Sequence, residues 1–188
     1  GGLKVHMAVQ ANQVVPSVVH ISQAACNDVT FTKYVNLPPG STVVMDRGYR
    51  DYRQYNAWGQ HQVRWVTRNH PNTYYELLEA LTVSPDQQER GVQKDQRVRR
   101  GFPTKRIRKV NCMLITITSP NGKCFEFITN DFDSEPLVIA QLYQKRWGIE
   151  LLFKRLKQNM PLQYFLGDSQ NAIRIQIWCA LIADLLIQ

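Results

Sequence analysis

Residues 41–45, Ser-Thr-Val-Val-Met, form an uninterrupted β-branched and apolar run that ends on Asp46-Arg47-Gly48-Tyr49. Such a run suits a strand buried on both faces, the kind found in sheets covered by helices. Residues 51–59 suit a helix beginning just after the glycine turn, and residues 63–67 suit the next strand. Strand, acid, glycine turn, helix, strand is an α/β rhythm.

The flanking segments add β structure on one side and helices on the other. Residues 4–10 and 14–22 read as a hairpin around Ala11-Asn12-Gln13, and residues 28–35 as a short helix before the breaker Leu37-Pro38-Pro39-Gly40. From 74 to 131 the chain turns β-rich. Residues 110–118 and 123–129 flank an Asn121-Gly122 turn and make the clearest hairpin of the chain. Ser134-Glu135-Pro136 then starts a helix, with Ser134 as its cap, that runs to about Asn159, where Pro161 stops it. A last apolar helix covers residues 169–188. No internal repeat is visible.

At 188 residues the chain suits one domain with a sizeable core. With 44% hydrophobic and 20% charged residues it is not a disordered tail or a linker. Lysine and arginine number 23 against 15 acids, for a formal charge of +8 and a pI near 9.5, which points to an anionic partner, most often nucleic acid. The excess is concentrated. Residues 90–109 hold Arg90, Lys94, Arg97, Arg99, Arg100, Lys105, Arg106, Arg108 and Lys109 against the single acid Asp95, so this stretch alone accounts for the whole net charge. It reads as a nucleic-acid contact or, more simply, as a solvated basic edge that protects a sheet. The longest apolar stretch, 177–187, is interrupted by Asp184 and falls short of the roughly 20 residues of a membrane span. No signal peptide is visible. Cys26, Cys112, Cys124 and Cys179 share no paired spacing and read as free, mostly buried thiols in a reducing compartment. His6, His20, His61 and His70 form no metal-binding spacing.

The chemistry-bearing residues cluster on the helix after Ser134. Drawn as one helix at about 100° per residue, Tyr143, Arg146, Glu150 and Lys157 fall within an arc of about 60° and span about 21 Å. Leu142, Ile149, Leu152, Phe153 and Leu156 fill the neighbouring apolar arc. One carboxylate thus sits beside a buried seam with cations and a phenol in line. It can hold a hard cation while Arg146 and Lys157 contact phosphates, or it can simply pair with Arg146 along the helix. Asp46 stands at the carboxyl end of a buried strand, where α/β sheets place reactive groups, and it can equally cap the turn that follows. Two-metal phosphoryl transfer requires several such carboxylates converging on cations roughly 4 Å apart.

Tyr143, Arg146, Glu150 and Lys157 match the Y-(2)-R-(3)-E-(6)-K signature, and the chain resembles the DDE transposases of the fourth insertion-sequence family. The run from Val43 through Asp46 to Tyr49 resembles that family's second-aspartate motif, Lys4-Val5-His6 its preceding strand, and Trp65-Val66-Thr67-Arg68 the strand and arginine after it. The resemblance implies a ribonuclease-H-like α/β fold, a mixed sheet flanked by helices, spanning residues 1–188, with residues 74–131 as a β-rich insertion. It implies a metal-dependent enzyme that cleaves DNA at transposon ends and joins the freed ends to target DNA. Asp46 and Glu150 would be catalytic and hold two Mg²⁺ or Mn²⁺ ions, and Tyr143, Arg146, Lys157 and Arg68 would contact DNA. By the same resemblance the protein would work as a dimer on DNA, associated with the prokaryotic nucleoid in the cytoplasm and with no membrane. The family's first aspartate lies on a strand before residue 4, so the sequence reads as a fragment lacking that strand and inactive without it. The alternative is a non-catalytic DNA-binding module from a decayed or domesticated transposase.

Overall fold

The computed structural model describes residues 2–13, 15–101, 109–160 and 166–187. The chain opens on β1 (Leu3–Gln10) and β2 (Val15–Gln23), and a 3-10 helix, Asp28–Tyr34, follows. Next come β3 (Thr42–Met45), a single 3-10 turn Arg47–Tyr49, α1 (Tyr52–Gln60) and β4 (Arg64–Arg68). The middle of the chain holds β5 (Tyr75–Ala80), α2 (Pro85–Glu89), β6 (Val92–Arg100), β7 (Val110–Thr118) and β8 (Cys124–Thr129). Three helices close it: α3 (Pro136–Gln144), α4 (Trp147–Asn159) and α5 (Gln170–Ile187). These elements divide into two compact units, one of Asn27–Lys145 and the other of Gly1–Cys26 with Arg146–Gln188.

The unit Asn27–Lys145 is built on a six-stranded mixed sheet in the order β3-β4-β8-β7-β6-β5. β3 and β4 are parallel, joined by the α1 crossover, and every other pairing is antiparallel. The β-rich stretch after residue 74 therefore extends the same sheet. Mixed α/β architecture with helices flanking the sheet is what the opening rhythm of residues 41–67 demands, and it is consistent with a ribonuclease-H-like fold. β7 is buried along nearly its whole length because both of its faces are covered. On one side Val66, Val92, Met113, Ile115, Ile117 and Phe127 pack with Ile139 of α3. On the other, Tyr55 of α1 stacks on Trp65 with ring centroids 4.3 Å apart. Each such fully buried side chain contributes about 1.5–3 kcal/mol relative to its exposed state.

Local chemistry fixes the turns. Gly122 takes φ +78° in the β7–β8 hairpin, closed by hydrogen bonds between Ser119 and Lys123. The short α2 carries a capping box, with Ser84 Oγ accepting from Gln87 N and Gln87 Oε1 accepting from Ser84 N. Gly91 follows it at φ +96°, where a Cβ would collide with the Thr118 carbonyl oxygen.

The other unit pairs the antiparallel hairpin β1-β2 with helices α4 and α5 around Met7, Leu152, Leu156, Ile177 and Leu181. His6 and His20 face each other across the hairpin, and His6 is buried. α5 has the length and apolar composition of a membrane span, yet its buried residues include Asp184, hydrogen-bonded to Arg155 of α4. Among the described residues β1 pairs only with β2, and β3 only with β4.

Three sequence expectations change. The helix after Ser134 is two helices: at Lys145 and Arg146 the backbone keeps helical angles but its hydrogen bonds tighten to Leu142 O and from Ile149 N, each 3.2 Å. The change of element coincides with a change of core: α3 contributes Ile139 to the sheet core, and α4 contributes Leu152 and Leu156 to the second core. Ser134 does not cap α3. Glu135 holds that position without a side-chain hydrogen bond, and the Ser134 hydroxyl turns back to Asp131. All four cysteines are free, but only Cys112 is buried.

Candidate active site

The parallel register of β3 and β4 positions Asp46. Met45 pairs with Thr67, so Asp46, just past the end of β3, and Arg68, the last residue of β4, follow on adjacent strands. Val44 and Val66, two residues earlier on each strand, contribute to the core packed beneath α3, and strand alternation sends Asp46 and Arg68 to that same side. Arg68 pairs with Phe127, whose ring lies 5.2 Å from the Tyr143 ring, and its guanidinium sits 5.1 Å over the ring of Phe125. Asp46, Arg68 and Tyr143 therefore gather at one end and on one side of the sheet.

Asp46 is half-buried, and its Oδ1 accepts from Gly48 N at 3.0 Å, which holds the carboxylate against the turn. A second carboxylate stands nearby. A side chain at Gly48 would meet Asp46 Oδ1 at 3.6 Å and Asp28 Oδ2 at 3.8 Å. Burial, followed by the charges of Asp28 and Asp46, pushes the Tyr49 phenol above its ordinary range. No spacing in the sequence flags Asp28, since only packing of the two 3-10 segments brings it here.

In the second unit Arg146 Nη1 meets Glu150 Oε1 at 2.6 Å, with Arg146 the more buried partner at 17% side-chain exposure against 44%. Glu150 lies in the first turn of α4, where an acid complements the helix dipole. Arg146, Glu150 and exposed Lys157 stay within about 40° of one another on this helix. Arg146, Glu150 and Lys157 are aligned on or at the start of α4, whereas Tyr143 belongs to α3, where its ring meets Phe127.

Other acids have structural duties. Asp131 is 2% exposed, its Oδ1 accepts from Asp133 N and Ser134 N, its Oδ2 accepts from Ser134 Oγ, and Arg64 lies 3.5 Å away. Asp133 is exposed and also faces Arg64. The basic segment is largely engaged within the fold. Arg90 pairs with Asp86, Arg97 with Glu79 and Arg99 with Glu76. Arg100 is fully buried, donating to Thr73 O and Asn69 Oδ1 and stacking on Tyr75. Lys105, Arg106 and Arg108 lie outside the described residues.

Carboxylate oxygens are the ligands that hard divalent cations take, so the donor chemistry of Asp46 and Glu150 fits Mg²⁺ or Mn²⁺. Among the described residues no group of three or more metal-ligating side chains is assembled.

Residues 1–186 match the family model described as the transposase DDE domain. A Sinorhizobium fredii protein named as transposase y4zB is 28% identical over 188 residues, which is all of this chain and 53% of that protein. A Synechocystis protein named as the transposase of insertion sequence element IS4SA is 26% identical, over 99% of this chain and 52% of its own length. A Geobacillus stearothermophilus protein named as the transposase of insertion sequence element IS5377 is 31% identical over 75 residues, 40% of this chain and 20% of its own. The chain spans about half the length of the first two relatives.

Proposed function

The chain belongs to the transposase DDE-domain family, and from that premise we propose that it is part of the catalytic domain of an enzyme that cleaves DNA at transposon ends and joins them to target DNA. The observation that supports the reading most is Asp46 itself, a carboxylate just past the carboxyl end of β3, one residue after the Met45–Thr67 pair that leads on β4 to Arg68, and held against the following turn by Gly48 N.

Asp46 and Glu150 are the carboxylates that would hold Mg²⁺ or Mn²⁺. When bound, two such ions activate the attacking oxygen and stabilise the leaving one. Arg68 would grip a DNA phosphate while its guanidinium stays oriented on Phe125. Tyr143 would offer its hydroxyl to the same backbone, its ring held by Phe127. Arg146 orients Glu150 through their ion pair, and Lys157, on the same face of α4, would contact a phosphate. A third carboxylate comes from a strand outside these residues, added at the open edge of β3, and residues 74–131 are the β-rich insertion. Two copies act together, one at each transposon end, on DNA in the prokaryotic nucleoid.

The test is a strand-nicking and end-joining assay on the 188-residue chain and on a chain extended upstream by one strand bearing an aspartate. Cleavage by the extended form only, lost in Asp46→Asn and Glu150→Gln, is the expected result. Metal-dependent cleavage by the 188-residue chain that survives both substitutions would overturn the assignment.

A further inference from the structure

The sequence draws attention to residues 90–109 as the anionic partner's contact, but the fold spends three of those arginines on its own acids and buries a fourth. A cation already paired with a carboxylate has little charge left to exchange for a phosphate, because contact with DNA would first have to break the pair. Elsewhere in the same unit, Lys33, Arg47, Arg50 and Arg53 are exposed and make no ion pair among the described residues. Two of them share a cavity. Lys33 and Arg53 line a depression of about 390 Å³ between the 3-10 helix Asp28–Tyr34 and α1, together with Asn27, Thr30 and Gln54.

We propose that this cavity takes a phosphate of a DNA backbone, held by Lys33 and Arg53. The lining suits an anion. Asn27 commits its Oδ1 to Val29 N, which leaves its amide N–H groups as donors, and Gln54 supplies a second neutral side chain. The one acid on the wall, Asp51, is turned to the helix start, where its Oδ1 accepts from Arg53 N at 2.9 Å. Exposed Arg50, hydrogen-bonded to Thr73 Oγ1, stands one residue before Asp51 and continues the cationic surface toward the Asp46 turn. A polymer running along Arg50 and Arg53 fits this better than an isolated anion. The proposal rests on the reading of the chain as a DNA-acting transposase domain. It gives that domain a contact beyond Arg68, Tyr143 and the α4 residues.

The experiment measures binding of a 30-base-pair duplex by fluorescence anisotropy across a chloride series, for the unaltered chain, K33Q/R53Q and R97Q/R99Q. Thermal melts confirm that each variant folds, and K33E/R53E serves as a second, stronger variant. K33Q/R53Q is expected to weaken binding about tenfold near 0.1 M salt and to flatten the slope of log K against log salt by about one to two, at roughly 0.9 per phosphate neutralised. R97Q/R99Q is expected to leave the slope nearly unchanged. A slope untouched in both Lys33/Arg53 variants, while the unaltered chain binds, would overturn this proposal alone. Absence of salt-dependent binding by the unaltered chain would overturn the DNA reading and the proposal together. Inorganic phosphate that displaces the duplex from the unaltered chain at matched ionic strength would assign the cavity to free phosphate instead and overturn the backbone assignment.

Discussion

Arg155 holds Asp184 through two parallel hydrogen bonds, Nε to Oδ1 and Nη2 to Oδ2, both 2.6 Å. The pair joins α4 to α5, and the carboxylate is 8% exposed while the guanidinium is 39% exposed. A planar guanidinium matched to a carboxylate in this way is both strong and geometrically selective.

Asp184→Ala removes the acceptor and leaves the solvent-reaching Arg155 guanidinium without this partner. The expected loss is about 1–3 kcal/mol, discounted from the cost of breaking a fully buried pair because Arg155 reaches solvent. Asp184→Asn, which keeps shape and one acceptor, should lose less. Urea unfolding of both variants checks the order.

Asp95 offers a test in pH. Burial raises its carboxyl above the ordinary value, and nearby Arg97 offsets only part of this. Its Oδ1 is buried without a hydrogen bond. An acid whose folded pKa is raised binds its proton more tightly in the native state, so stability falls as pH rises from the unfolded value through the folded one. Asp95→Asn should therefore raise the melting temperature at pH 7 by about 2 °C, and the gain should vanish below pH about 4, the unfolded carboxyl's range. A scan at both pH values decides it, and a gain that is unchanged at the lower pH would refute the cause.

Gly91 is irreplaceable on steric grounds. At φ +96° any L side chain is strained, and the Cβ would strike the Thr118 carbonyl, whose own N–H donates to Gly91 O at 2.8 Å. Gly91→Ala should cost at least about 2 kcal/mol, combining the backbone penalty with displacement of β7. Gly40→Ala is the control. It shares a positive φ of +82° but has open space around it, so it should cost less.

The thiols should react in two classes. Burial pushes the Cys112 thiol up to about 12, against a smaller opposing effect from Arg100, while Cys26, Cys124 and Cys179 are exposed. Titration with a disulfide reagent at pH 8 should count three accessible thiols in the native chain and a fourth only on unfolding. Cys112→Ser should leave the native count at three.

The parts of this fold that the sequence announces are those governed by short-range periodicity. β3, α1 and β4 each fall within one residue of the reading made from residues 41–67, because a β-branched run, a glycine turn and an amphipathic segment are local signals. The capping box at Ser84-Pro85-Asp86-Gln87 was equally readable, yet a five-residue helix leaves too little periodicity to attract notice. The break at Lys145 and Arg146 was not readable, since both residues favour helix and no breaker marks the position. Strand register was also hidden. It pairs Glu76 with Arg99 and Glu79 with Arg97, and so converts an apparent block of loose charge into a ladder of ion pairs. For the candidate site, the sequence nominates Asp46 through its strand and turn. The approach of Asp28 to the same turn depends on tertiary packing that no spacing rule encodes.

The two borders of the six-stranded sheet differ in kind. β5 carries Glu76 and Glu79 along one border, and charged side chains there discourage a foreign strand from zippering on. β3, Thr-Val-Val-Met, has no charge along the other, and its outward hydrogen-bonding groups have no ladder partner among the described residues. The sheet is therefore monovalent: it can be lengthened by one neighbour from the β3 side and is capped on the other. A protein made without that neighbour would carry an adhesive seam along β3, through which two copies of this sheet should join β3 to β3 and, at this sheet, go no further.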